Sequence, residues 1–204
     1  MYLVPLVLSL SVHEFAHAWS AYKLGDDTAA REGRMTLNPL VHIDLIGTVL
    51  LPLLGIPFGW AKPVPIDPTR FRRDVNMGTG MAITASAGPI SNVILAVLAT
   101  IAFGLLIRFA PETLATTPAL DALLKAIIGI NVSLAIFNLL PVPPLDGSRI
   151  VEAFIPNRLR AGWESFARIA PFLLIGVVVY GGALIAGPRR LFFGLLQRLL
   201  DAIV

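Results

Sequence analysis

The sequence predicts an α-helical integral membrane protein: a bundle of about four transmembrane helices with a re-entrant or β-hairpin segment and a C-terminal amphipathic helix. Three observations predict it. Hydrophobic residues make up 56% of the chain and charged residues 14%, with a mean hydropathy of +0.78, whereas soluble domains carry about 25% charged residues. Apolar stretches recur at lengths near the roughly 20 residues that cross a bilayer. Lys and Arg gather in short clusters beside those stretches, as juxtamembrane anchors do, so the net charge of +3 and pI near 9.7 indicate membrane orientation and no nucleic-acid partner. The 204 residues are expected to form one domain, 1–204. Without a cysteine there is no disulfide framework, and any metal must be held by His, Asp or Glu.

The first expected span, 2–24, has no basic leader and no small-residue cleavage site before its polar residues, so it reads as a retained helix and not a signal peptide. The stretch 43–60 carries Gly47, Pro52, Gly55, Pro57 and Gly59, which argues against a regular spanning helix and for a re-entrant segment. Such a segment could offer an edge for an extended strand to pair with. Spans are expected at 83–109, 120–142 and, shorter, 169–186. In the tail, 189–204, Leu191, Phe192, Leu195, Leu196 and Leu199 recur at helical spacing among Arg190, Gln197, Arg198 and Asp201, the pattern of a helix lying on a membrane surface. Trp19, Trp60 and Trp163 fall near the expected interfaces.

Charge decides whether 43–60 crosses. If it does not, the clusters at 23–34, 62–73 and 149–168 share one face and hold eleven of the sixteen Lys and Arg; if it does, the split is eight to eight. The positive-inside rule favours the first arrangement, with the basic loops cytoplasmic and the N-terminus outside.

The costly groups are in the first span. His13-Glu14-Phe15-Ala16-His17 is H-E-x-x-H, which on a helix sets two imidazoles one turn apart on one face, able to reach one zinc ion. Glu14 adjoins them, where a carboxylate can take a proton from water and pass it to a leaving amine. Ionisable groups at membrane depth are functional by default. A catalytic zinc site normally takes a third protein ligand. His42 lies in a loop, where turn geometry explains it and Asp44, whereas Asp146 follows Pro141, Pro143 and Pro144 at the end of an apolar span and precedes Gly147. Those prolines stop regular helix and can turn a carboxylate inward. A plain interfacial turn explains Asp146-Gly147 equally well on this segment alone, but the three-span topology brings Asp146 to the side where His17 lies.

The chain resembles the site-2 proteases, zinc metalloproteases that cut substrates within the membrane. "HEFAH" fits their H-E-x-x-H, "NLLPVPPLDG" at 138–147 fits N-x-x-P-x-P-x-x-D-G, and "GPISN" at 88–92 fits G-P-x-x-N. The resemblance implies a single zinc ion held by His13, His17 and Asp146, Glu14 as general base and acid, and Asn138 near the substrate carbonyl. It implies a transmembrane protein or peptide as substrate and a multi-pass protein of a prokaryotic plasma membrane, its active site opening to the cytoplasm. The Asn138 amide can donate to a developing oxyanion, and an interhelical hydrogen bond accounts for it equally well. For Asn92 a structural role is favoured over a substrate contact. No segment is long enough for a PDZ module and no regulatory domain follows the last span, so the chain is expected to be a minimal form. A membrane zinc transporter would spread polar groups along several spans, and a non-catalytic membrane scaffold would be expected to lack Glu14 or a ligand.

Overall fold

Helix starts in this chain are marked by side chains that accept the first free backbone N–H groups and by prolines that have none to satisfy. The structure, a computed structural model, describes residues 3–54, 59–180 and 182–204. In chain order, α1 is Leu3–Leu24 and the short α2 is Thr28–Arg31. After a 3-10 turn at Pro39–Val41, a π-helix at Leu45–Leu50 runs into α3, Leu51–Leu53. Then follow α4, Met77–Phe109, α5, Pro111–Thr116, and α6, Pro118–Asn138. The chain closes with α7, Asp146–Glu152, α8, Arg160–Tyr180, and α9, Gly182–Ile203. No strand occurs among the described residues.

Asn76 caps α4 by accepting from the N–H groups of Gly78 and Thr79, at 2.9 and 3.3 Å, so this helix starts before the 83 expected for its span. It is 33 residues long, about 50 Å at 1.5 Å per residue. α4 and α6 are the two described helices long and apolar enough to cross a membrane. Pro118 opens α6 and Asn138 closes it, short of the expected 142, because the prolines that follow cannot continue a helix. The fourth expected span, 169–186, falls across the end of α8 and the start of α9, and Gly181 between them lies outside the described residues.

α4 is the hub, packed by α1, α6, α7 and α9. Its buried face is made of small residues, among them Gly80, Ala82, Ala85, Gly88, Ala96, Ala99 and Gly104, which let neighbouring backbones come close. Ile83, Ile90, Ile94 and Leu98 point outward and are about half exposed. α1 and α6 run antiparallel to α4: His13 meets Asn92 and His17 meets Thr84, while Ile128 and Val132 of α6 pack beside Ala99 and Ala96. The expected tail helix lies within α9, and part of its apolar stripe packs on protein. Leu196, Phe192 and Phe193 of α9 join the Ala96, Ala99, Ile128 and Val132 cluster, and Leu200 and Ile203 sit over Gly104. Glycine at 104 leaves the seat for Leu200 and Ile203, while Leu191 and Leu195 of the same stripe stay exposed, at 69% and 53%.

The described part of 43–60 is helical. Asp44 caps it by accepting from Ile46 and Gly47 N–H, and the Thr48 hydroxyl donates to the Trp60 carbonyl at 2.7 Å, folding the segment back on itself. Gly47 has no side chain because the Trp60 ring occupies that space. A strand edge is not formed by Leu45–Leu53, whose backbone bonds run along the helix; residues 55–58 lie outside the described residues.

Candidate metal centre

One helical turn on α1 brings the imidazoles of His13 and His17 together, their Nε2 atoms 3.0 Å apart and their ring planes near perpendicular. α7 packs on α4 and delivers Asp146 from its first position. Asp146 Oδ2 lies 3.1 Å from His13 Nε2 and 3.4 Å from His17 Nε2. These three separations lie near the roughly 3.3 Å edge of a tetrahedron with 2.0 Å zinc–ligand bonds. His13, His17 and Asp146 are the group of potential ligands that converges among the described residues.

Two further observations fit a cation. Asp146 Oδ2 is buried and no hydrogen-bond donor is aligned on it, although both imidazole nitrogens face it. Gly88 of α4 lies directly against the pair: a Cβ there would come within 2.6 Å of His13 Cε1 and Nε2, and would also collide with His17 Nε2. The turn that aims Asp146 is equally tight. Leu145 N–H donates to Val142 C=O at 2.9 Å and Ser148 N–H to Leu145 C=O at 3.0 Å, and a Cβ on Gly147 would strike the Leu139 and Leu140 carbonyls.

Each imidazole is anchored on its far side. His17 Nδ1 lies 2.7 Å from the Thr84 carbonyl and His13 Nδ1 lies 2.6 Å from Asn92 Oδ1. Glu14 is buried, and its Oε2 accepts from Val64 N–H at 2.9 Å. The 62–67 loop that presents this amide is tied down at several points. Lys62 N–H donates to the His42 carbonyl, Arg34 Nη2 donates to the Lys62 and Pro63 carbonyls at 2.7 and 3.3 Å, and Asp67 N–H donates to Asp26 Oδ2 at 2.7 Å. Val64 is buried against Ala18 and Ala29.

Asn138 stands at the last residue of α6, and its amide donates to the Leu134 carbonyl of the same helix at 3.1 Å, not across helices. His42 is held apart from the cluster, its Nε2 2.8 Å from the Thr36 carbonyl. Sequence reasoning missed Asn131, Arg34 and Asp26, and for Asn92 it weighed exposed backbone or a substrate strand where the partners are His13 and Asn131. A lone Asn in the middle of an apolar span was the available signal for Asn131; the Thr84 carbonyl had none, since a backbone group leaves no mark in residue type.

The sequence pattern of peptidase family M50 matches residues 1–179. A protein of Bacillus subtilis (strain 168) named "Putative zinc metalloprotease YwhC" is 42% identical over 182 residues, covering 87% of this chain and 80% of its own. One of Mycolicibacterium smegmatis named "Putative zinc metalloprotease Rip2" is 31% identical over 196 residues, covering 96% of this chain and 71% of its own. No solved structure matches the chain significantly. With the H-E-x-x-H helix, the converging aspartate and a family match over most of its length, this chain belongs to peptidase family M50, the site-2 protease family of intramembrane proteases.

Proposed function

We propose that the chain hydrolyses peptide bonds in or beside transmembrane segments of membrane proteins, using one zinc ion held by His13, His17 and Asp146. The observation that carries this reading is the convergence of two imidazole Nε2 atoms and a buried carboxylate oxygen that accepts no hydrogen bond, under a glycine that leaves room for them. When bound, zinc supplies a Lewis acid that polarises the scissile carbonyl and lowers the pKa of a water molecule to about 7. Glu14, whose Oε2 accepts from Val64 N–H, would take a proton from the attacking water and pass it to the leaving amine. Asn138 keeps one amide N–H beyond the bond to Leu134, and we assign it to the oxyanion of the substrate.

The reading extends to one domain over 1–204, with four spans and the 43–60 segment re-entrant. The basic loops and the site's opening face the cytoplasm, in the plasma membrane of a prokaryote. The Lys and Arg asymmetry supports the orientation. The test is metal analysis and cleavage of transmembrane peptides by the purified chain, wild type against Glu14→Gln. Glu14→Gln should keep its zinc and lose about 10²- to 10⁴-fold in rate. Loss of the metal instead would make Glu14 a ligand and overturn the division of roles. Zinc transport is tested separately: uptake into liposomes by the Glu14→Gln chain would favour a transporter.

A further inference from the structure

Behind His13 a chain of buried side-chain hydrogen bonds links three helices. His13 Nδ1 is 2.6 Å from Asn92 Oδ1, Asn92 Nδ2 is 2.8 Å from Asn131 Oδ1, and Asn131 Nδ2 is 2.9 Å from both Ser9 Oγ and the Ile127 carbonyl. The Ser9 hydroxyl donates to the Pro5 carbonyl at 2.7 Å. Asn92 and Asn131 are fully buried at 0% exposure, so none of these bonds competes with water.

The direction of every proton in this chain is determined by its far end. The Ile127 and Pro5 carbonyls can only accept. The Asn131 amide nitrogen therefore faces Ile127 and Ser9, and its oxygen faces Asn92. Asn92 must meet that oxygen with its own NH2, which turns its carbonyl oxygen to His13. An acceptor opposite Nδ1 puts the imidazole proton on Nδ1 and leaves the lone pair on Nε2, the atom facing His17 and Asp146. His17 reaches the same state through the Thr84 carbonyl, a backbone acceptor that cannot flip.

We infer that Asn92 and Asn131 are positioning residues for His13: together they fix its tautomer and ring orientation so that Nε2 is offered to the metal. This inference rests on the zinc site proposed above. It goes further than an interhelical bond, because packing alone has no preference for which atom of Asn92 faces His13. Groups that orient a ligating histidine in this way typically change metal affinity 10- to 100-fold when removed.

The experiment measures the zinc dissociation constant of the full-length, zinc-stripped chain in detergent, by competition with a chromophoric chelator, together with the melting temperature of the metal-free protein. Asn92→Leu should weaken zinc binding by about 10- to 100-fold. Asn92→Asp keeps an acceptor for His13 Nδ1–H but cannot donate to Asn131, so it should melt lower than wild type while holding zinc with near wild-type affinity. Asn131→Leu does not touch His13; it should weaken zinc less than Asn92→Leu, and it carries the test if the substitutions at 92 fail to fold. A purely structural role predicts the opposite pattern, in which Leu and Asp at 92 lower the melting temperature alike and leave zinc affinity unchanged. Equal zinc loss in Asn92→Leu and Asn92→Asp, or wild-type affinity in Asn92→Leu or Asn131→Leu, overturns the inference while the zinc site stands. A wild-type chain that takes up no zinc overturns the site and the inference with it.

Discussion

Gly88 is where a single methyl group would decide occupancy of the site. An added Cβ must push His13, whose Cε1 and Nε2 would both be 2.6 Å away, yet alanine is the better helix former by about 1 kcal/mol. The clash with two anchored imidazoles outweighs that gain, so Gly88→Ala should melt lower in the metal-free chain and weaken zinc binding more than tenfold, about the 1.4 kcal/mol that a decade in affinity represents. Unaltered zinc affinity would show that the imidazoles do not sit as described. Asp146 and His42 form a second contrast. Asp146→Asn should weaken zinc strongly, since it removes the anionic oxygen between two neutral imidazoles, whereas His42→Asn should bind zinc as wild type does, its imidazole being committed to the Thr36 carbonyl. At this scale the sequence was legible where spacing along one helix sufficed, as in His13, Glu14 and His17. It was not legible where the partner is a backbone atom or comes from a distant helix, as with Thr84, Val64 and Asn131.

Among the elements, α4 shows why hydropathy located a span but not its neighbours. Apart from Thr84, Asn92 and Thr100 on the buried side, both of its faces are apolar; what differs is size, with glycine and alanine turned to protein and isoleucine and leucine turned outward. In lipid there is no hydrophobic drive between helices, so close backbone approach and polar bonds must supply the association. The apolar stripe of α9 was readable, but its destination depended on the gap at Gly104, more than eighty residues earlier in the chain. Gly104→Leu should unseat Leu200 and Ile203, now 3.1 Å from where a Cβ would stand, and destabilise the protein by roughly 1–3 kcal/mol, the usual cost of overpacking. A thermal melt of the purified chain reads this, and proteolysis of the tail should become faster. No change in either would mean that α9 is not seated there. Likewise, the prolines after Asn138 announced that α6 would stop, while only the packing of α7 on α4 shows where Asp146 then goes.

For the whole molecule, the proposed orientation makes a prediction that the composition simplifies, since the chain has no cysteine to confuse labelling. Asp74 and Glu112 are both exposed and flank opposite ends of α4. With the basic loops cytoplasmic, Glu112→Cys should react with a membrane-impermeant thiol reagent in intact cells, and Asp74→Cys only after permeabilisation. The reverse pattern would invert the topology and place the histidines' end of the bundle outside. The helical character and the apolar helices α4 and α6 were legible at this scale because a bilayer imposes length and composition on whatever crosses it. The order of packing around α4 was not, since it is decided by side-chain sizes that hydropathy averages away.

The order of α1 and α7 in the chain, on either side of α4, also has a consequence in time. His13 and His17 leave the ribosome early, but the carboxylate that completes the proposed ligand set arrives only with α7, after α4 and α6 have been made. A nascent chain that has already inserted its H-E-x-x-H helix therefore carries two imidazoles and a poised glutamate without the third ligand. On the reading proposed above, α4 and α6 are made before the ligand set is complete. If the site works as proposed, the order of the elements withholds the third ligand until the helices around it have been made.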